Sequence, residues 1–218
     1  MGYDSADNAT PKACPRLPDF ALETQAGAFE RPVAGVDEAG RGPWAGPVVA
    51  AAVILDPARL PHGLNDSKKL SSATRARLYD EIRTCAEVGV GVMDVDVIDS
   101  RNILRATLDA MTQALRALPR APSLALIDGN RAPDVGACAT QCVVRGDGRS
   151  LSIAAASIVA KVTRDRMMAA LAEQYPGYGW ERNMGYGTAA HRAALIRLGV
   201  TDHHRRSFAP IRKMLSPA

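Results

Sequence analysis

The 218-residue chain is short of several things, and each shortage removes a class of explanation. Its four cysteines, Cys14, Cys85, Cys138 and Cys142, are too few for a disulfide framework and form no Cys-X-X-Cys pair, so they read as reduced thiols. Cys138 and Cys142 would need two further ligands to hold zinc, and their neighbourhood offers none. No apolar run approaches the roughly 20 residues a membrane helix requires. The opening, MGYDSADNATPKACPRLPDF, lacks the basic-then-apolar order of a secretory leader. The expectation is a cytoplasmic protein with no membrane segment. There is no internal repeat, and no compositional bias beyond a surplus of alanine.

What is present is a 47% apolar chain able to bury one sizeable core. The net charge of +4 is unevenly placed: from Glu181 onward seven Lys/Arg residues face two acids, so this stretch carries the whole positive excess. A basic face of this kind suits a phosphate backbone. Residues 1–31 are polar, proline-bearing and without period, which reads as a mobile N-terminal arm ahead of one domain over 32–218.

Order begins at Val33, where a short apolar run ends in Asp37 and Glu38. A second strand is expected over Val48 to Leu55, apolar almost throughout and so covered on both faces. Ser71 or Ser72 can cap a helix running to about Glu87, and Val88 to Met93 reads as a third strand. Asp96 to Leu118 reads as a long amphipathic helix that Pro119 stops. Ser123 to Ile127 and Gln141 to Val144 are further strands. Helices follow from Ser150 to about Glu173, with Lys161, Arg164 and Arg166 emerging from it, and from Thr188 to Leu198. The pattern is an α/β fold, three strands first and then strands alternating with helices.

Four carboxylates recur where a strand gives way to a glycine-containing turn: Asp37, Glu38, Asp128 and Asp147. Ligands of open α/β sheets sit beyond the carboxyl ends of strands, and neighbouring strands are only about 4.8 Å apart, so these acids should crowd together. Crowded carboxylates repel unless a cation neutralises them, and oxygen ligands favour Mg²⁺ or Mn²⁺. Two ions about 4 Å apart would support attack of water on a phosphodiester. Gly40-Arg41-Gly42 directly after the first acids lets backbone approach a ligand, and a 2′-hydroxyl beside such a site is what separates RNA from DNA. Tyr186 can stack on a sugar or base. His191, His203 and His204 pair with no second ligand at metal-binding spacing and are placed on the basic surface.

Several colinear motifs, Val36-Asp37-Glu38-Ala39-Gly40-Arg41-Gly42-Pro43, Asn65-Asp66-Ser67-Lys68-Lys69-Leu70, Ile127-Asp128-Gly129-Asn130, Ala155 to Asp165 and His204-Arg205-Arg206-Ser207-Phe208, together resemble bacterial ribonuclease HII from roughly Val33 to Ile211. The resemblance implies a ribonuclease H-like fold, a five-stranded mixed sheet flanked by helices, with a C-terminal helical segment that binds substrate. It implies an endonuclease acting on the RNA strand of RNA/DNA hybrids and nicking duplex DNA 5′ to single embedded ribonucleotides, leaving 3′-hydroxyl and 5′-phosphate ends. Carried over by motif, Asp37, Glu38, Asp128 and Asp147 hold two Mg²⁺ or Mn²⁺ ions, with Asp37 as the bridge. Gly40, Arg41 and Gly42 read the 2′-hydroxyl, Tyr186 packs on the sugar past the junction, and Lys161 and Arg164 contact phosphate. A monomer is expected, with a replication-clamp contact through the C-terminal tail.

Two positions depart from the family's habit. Arg145-Gly146-Asp147 stands where Lys-Gly-Asp is common and keeps the charge. Asn183-Met184 stands where His-Lys often precedes the Gly-Tyr pair, which removes a cation beside Tyr186. A ribonuclease HIII is disfavoured because the 31-residue arm cannot supply its additional N-terminal substrate-binding domain. A DNA-specific nuclease of the same fold is disfavoured by the Gly-Arg-Gly and Tyr186 pair. A non-catalytic hybrid-binding module would leave clustered acids without a purpose.

Overall fold

The computed structural model describes residues 17–216. The first sixteen residues of the expected arm, Cys14 among them, and the last two residues of the tail lie outside the described part. The elements in order are α1 (Ala21–Gln25), β1 (Val33–Ala39), β2 (Val48–Leu55), α2 (Ser72–Cys85), β3 (Ala86–Met93), α3 (Val95–Arg116), β4 (Leu124–Asp128), β5 (Ala139–Val143), α4 (Leu151–Gln174), α5 (Trp180–Asn183), α6 (Ala189–Leu198) and α7 (Ala209–Leu215). The strands form one five-stranded mixed sheet in the order β3-β2-β1-β4-β5. β1, β2 and β3 make an antiparallel meander, whereas β4 and β5 add in parallel to β1.

The sheet is buried between helices because its inner strands cannot face water: every residue of β2, between β3 and the central β1, is buried. On one face α2 and α4 pack over Ala51, Val53 and Leu55. On the other α3 packs over Ala34, Val36, Ala50 and Ala52. Close approach on each face depends on glycine. A Cβ at Gly35 would collide with the α4 backbone at Ser152 and Ile153, and one at Gly91 with the α3 carbonyl of Ala110. Thus α4 can rest its Ile153-to-Ala156 stretch, wholly buried, directly on β1.

Helix starts follow the caps seen in the sequence. Ser71, Ser150 and Thr188 accept from the N–H of Thr74, Ile153 and His191. The expected long helix is broken: Asn102 takes φ 64°, ψ 161° inside α3, and its side-chain oxygen accepts from Leu104 N at 3.0 Å and Arg105 N at 3.1 Å. Asn102 therefore restarts the helix as an internal N-cap. Residues 17–31, assigned to the arm from the sequence, carry α1 and lie against the start of α4. Glu23 is fully buried there and accepts from Ser150 Oγ at 2.5 Å and Ser152 N at 2.8 Å. The described cysteines, Cys85, Cys138 and Cys142, are free, and none of the described helices is long and apolar enough to cross a membrane.

The C-terminal third forms a small second cluster around Trp180, Tyr178, Leu195, Ile211 and Met168. It leans on the far end of α4 and encloses two histidines the sequence reading placed on the surface. His191 and His204 are both fully buried. Trp180 Nε1 donates to His191 Nε2 at 3.1 Å, which leaves the His191 Nδ1–H to donate to the Tyr186 carbonyl at 2.9 Å. His204 then donates from Nε2 to His191 Nε2 at 3.1 Å and accepts at Nδ1 from Thr201 N at 3.0 Å. Each ring is thereby neutral in a fixed tautomer.

Candidate active site

Strand register assembles the acids. β1 and β4 run parallel with Val36 opposite Ile127, so Asp37 and Asp128 emerge side by side at the same sheet end. β4 and β5 pair Asp128 with Val143, and the chain then turns through Arg145, in left-handed backbone at φ 56°, into a 3₁₀ turn at Gly146–Gly148 that delivers Asp147. Gly146 N donates to Asp128 Oδ1 at 2.6 Å and Glu38 N donates to Asp37 Oδ1 at 2.7 Å, fixing two of the carboxylates. Oxygens of Asp37, Asp128 and Asp147 all lie within 4.8 Å of one another.

Electrostatics make this cluster costly without a cation. Burial, then the charges of Glu38 and Asp128, hold the Asp37 carboxyl well above its ordinary range. Asp147 is pushed the same way by burial, Asp66 and Asp128. Three convergent carboxylate oxygens are a hard, anionic donor set, so the residues present fit Mg²⁺ or Mn²⁺ and do not fit a softer ion.

Glu38, the fourth expected acid, is turned aside. Its Oε1 accepts from Arg41 Nη1 at 3.0 Å. Burial raises its carboxyl while the Arg41 contact opposes the rise. Lys68, unremarked by the sequence reading except inside a motif, stands at the cluster instead, its Nζ 3.7 Å from Asp147 and 3.9 Å from Asp66. Partial burial lowers its ammonium pKa, but Asp66, Asp37, Asp147 and Asp128 together more than offset this and hold it above the ordinary value. Ser67 beside it is anchored on α4 through a 2.7 Å bond with Ser157.

The recognition residues flank the acids. Gly40 is buried with φ 97°, while Arg41 and Gly42 are exposed. Tyr186 is 48% exposed, and a Cβ on Gly42 would lie 3.4 Å from its ring, so the Gly-Arg-Gly loop and the tyrosine ring lie directly beside one another. Asn183, where the family often has histidine, ties its own loop: Nδ2 donates to the Tyr178 carbonyl at 2.8 Å and Oδ1 accepts from Gly185 N at 2.9 Å. Arg164 is corrected. It is only 2% exposed and its donors end on backbone carbonyls, so it cannot reach a phosphate. Lys161 is ion-paired across one helical turn with Asp165, at 2.6 and 2.8 Å, and is not part of the acid cluster.

Residues 34–211 match the family model described as Ribonuclease HII. The chain belongs to the ribonuclease HII family. The Ribonuclease HII of Parvibaculum lavamentivorans is 65% identical over 206 residues, covering 94% of this chain and 77% of the relative. Among solved structures, the ribonuclease H2 of Pyrococcus horikoshii OT3 has TM-score 0.69 at 25% identity, covering 84% of this chain and 96% of that one. The RNase HII solved in complex with PCNA from Archaeoglobus fulgidus has TM-score 0.68 at 29% identity, with 80% and 93% covered. As a ribonuclease HII, the chain is a phosphodiester hydrolase of the ribonuclease H type on a ribonuclease H-like fold.

Proposed function

We propose that Asp37, Asp128 and Asp147 form the catalytic centre of this ribonuclease HII, with Glu38 joining them when it releases Arg41. The observation that carries the reading is the convergence of three carboxylates, within 4.8 Å, beside an exposed Gly-Arg-Gly loop. Asp37, Asp128 and Asp147 would hold Mg²⁺ or Mn²⁺ there, and the bound metal would supply an activated water and stabilise the leaving 3′-oxygen. The protein's own part is positioning. Gly146 N and Glu38 N orient two of the carboxylates, and Lys68 offers a cation to phosphate oxygens arriving at Asp147.

Substrate choice is assigned to the Gly-Arg-Gly loop and the adjoining Tyr186. The backbone of Gly40, Arg41 and Gly42 meets the 2′-hydroxyl, and Tyr186 packs on the next sugar. A chain so equipped cuts the RNA strand of a hybrid and nicks duplex DNA 5′ to a lone ribonucleotide, leaving 3′-hydroxyl and 5′-phosphate ends. Lys161 contacts phosphate on leaving Asp165. The enzyme works as a cytoplasmic monomer, and its tail, with Met214 and Leu215 exposed, meets a replication clamp, a reading supported by the archaeal relative solved in complex with PCNA.

The test is cleavage of a labelled DNA duplex carrying one ribonucleotide, beside an all-DNA duplex, in magnesium or manganese with and without chelator. Metal-dependent nicking 5′ to the ribonucleotide alone is the expected result. No nicking of either duplex, nor of a longer hybrid, by folded protein would overturn the reading.

A further inference from the structure

Two buried cations behind the Gly-Arg-Gly loop are used by none of the chemistry above. Arg205 is fully buried and Arg164 is 2% exposed, and among the described residues neither makes an ion pair with a carboxylate. Burial, reinforced for Arg205 by the neighbouring Arg164, pulls their guanidinium pKa values down to about 9 and about 10. An unpaired charge in such a place costs several kcal/mol, so what the two arginines hold is informative.

They hold backbone carbonyls. Arg205 Nη2 donates to Gly40 O at 2.6 Å, Gly46 O at 2.8 Å and Pro47 O at 3.1 Å, and Nη1 donates to Arg41 O at 3.0 Å. Arg164 reaches Pro47 O at 2.9 Å and Ala45 O at 3.1 Å, and its Nη1 crosses to Met184 O at 2.9 Å. One guanidinium thus grips both ends of the loop, and the other ties that loop to the loop carrying Tyr186.

The consequence appears on the opposite side of two peptide planes. In a trans peptide the carbonyl of one residue and the N–H of the next point in opposite directions. With the carbonyls of Gly40 and Arg41 fixed inward on Arg205, the N–H groups of Arg41 and Gly42 are turned outward. Both residues are exposed, and among the described residues neither N–H has an acceptor. Consecutive N–H groups presented this way form a concave donor pair for one oxygen.

We propose that Arg205 is a positioning residue for ribonucleotide selection, setting these two peptide planes so that their N–H groups meet the 2′-oxygen, with Arg164 locking the same loop to Tyr186. The inference rests on the reading of the Gly-Arg-Gly loop given above. Lysine at 205 would keep the charge but replace a planar fork by one compact ammonium, which cannot span Gly40, Arg41, Gly46 and Pro47 together.

The experiment measures kcat and KM on the duplex with one ribonucleotide, the inhibition constant of an all-DNA duplex as competitor, and the ¹⁵N–¹H resonances of Arg41 and Gly42, for wild type, Arg205→Lys and Arg206→Lys. Arg205→Lys is expected to lose about 10- to 100-fold in kcat/KM, chiefly through KM, the range for one or two hydrogen bonds to a hydroxyl. Its competitor constant should hold and the two amide resonances should move, while Arg206→Lys matches wild type throughout. If Arg205→Lys does not fold, Arg205→Gln, which removes the buried charge and loses the fork across Gly40 and Arg41, takes its place with the same expectations. A folded Arg205→Lys, or Arg205→Gln in its stead, that keeps wild-type KM and unmoved amides overturns the role of Arg205 alone. A wild type that binds both duplexes equally overturns the underlying reading of the loop as well.

Discussion

Asp37 is 5% exposed, and burial with three acidic neighbours keeps its proton on far above the usual carboxylate range. Such a residue is poorly matched to its surroundings unless a cation arrives. Asp37→Asn keeps the shape and removes the charge. Cleavage should fall at least about 1,000-fold, because metal-assisted hydrolysis supplies several kcal/mol that the amide cannot help deliver. Affinity for a hybrid should hold or tighten, since one anion has left the path of the phosphates. Equal cleavage in a gel assay would remove Asp37 from the centre. The three clustered acids were legible in the sequence because each ends at a strand and a glycine turn, a position that dictates direction. Arg164 was misread because a basic residue on a helix looks like surface. The signal lay in its spacing: Ala156, Ala160, Arg164 and Met168 continue one buried stripe at intervals of four.

Elements carry the next set of consequences. The strands and main helices followed from pattern and caps, whereas the break in α3 did not, because Ile98 and Ile103 keep an apolar face on both sides of it. Asn102 sits there with φ 64° and caps the following turn. Alanine would lose the cap and strain the backbone, and about 1–2 kcal/mol of stability should disappear in a urea titration. Glycine accepts the angle and forfeits little more than the cap bonds, so Asn102→Gly should be the milder change. α1 escaped notice because five residues show no period, and its place is set by one buried carboxylate, Glu23, on the start of α4.

The paired histidines make a pH prediction at the same scale. Burial, with His191 as the next cause, lowers the His204 pKa to about 4, and His191 is lowered by burial as well. A depressed histidine is protonated in the unfolded chain before the folded one, so its contribution is intact above about pH 6.5 and is lost as pH falls toward about 4, on the order of 3 kcal/mol. The raised carboxyls of the acid cluster push the other way across much of this window. Comparison with His204→Gln isolates the ring: the variant should lose less unfolding free energy than wild type between those limits. Parallel curves would show that His204 does not titrate differently on folding.

At the scale of the molecule, charge and sheet topology divide the labour. The positive excess lies in the segment that carries α5 to α7, and Arg192 there sits over the Trp44 ring, 5.6 Å from its centre, beside the loop of Tyr186. The logarithm of hybrid affinity should fall linearly with the logarithm of salt, and Arg192→Ala should flatten that slope by about 1, the share of one phosphate contact. An unchanged slope would place Arg192 outside the duplex path. Only tertiary contact could reveal this placement, since Trp44 and Arg192 are far apart in sequence and neither lies in a motif.

The acid cluster also bears on how long the protein survives. Three carboxylates forced together store repulsion that an arriving cation relieves, so the ion binds the folded chain and has little to hold in the unfolded one. By mass action, Mg²⁺ or Mn²⁺ should then raise the melting temperature with concentration, and chelation should lower it. Asn at position 37 should do the reverse of what a damaged enzyme suggests, melting higher than metal-free wild type while gaining less from metal. Reactivity and endurance are set against each other at one residue, and divalent cation should shift the balance toward the folded chain.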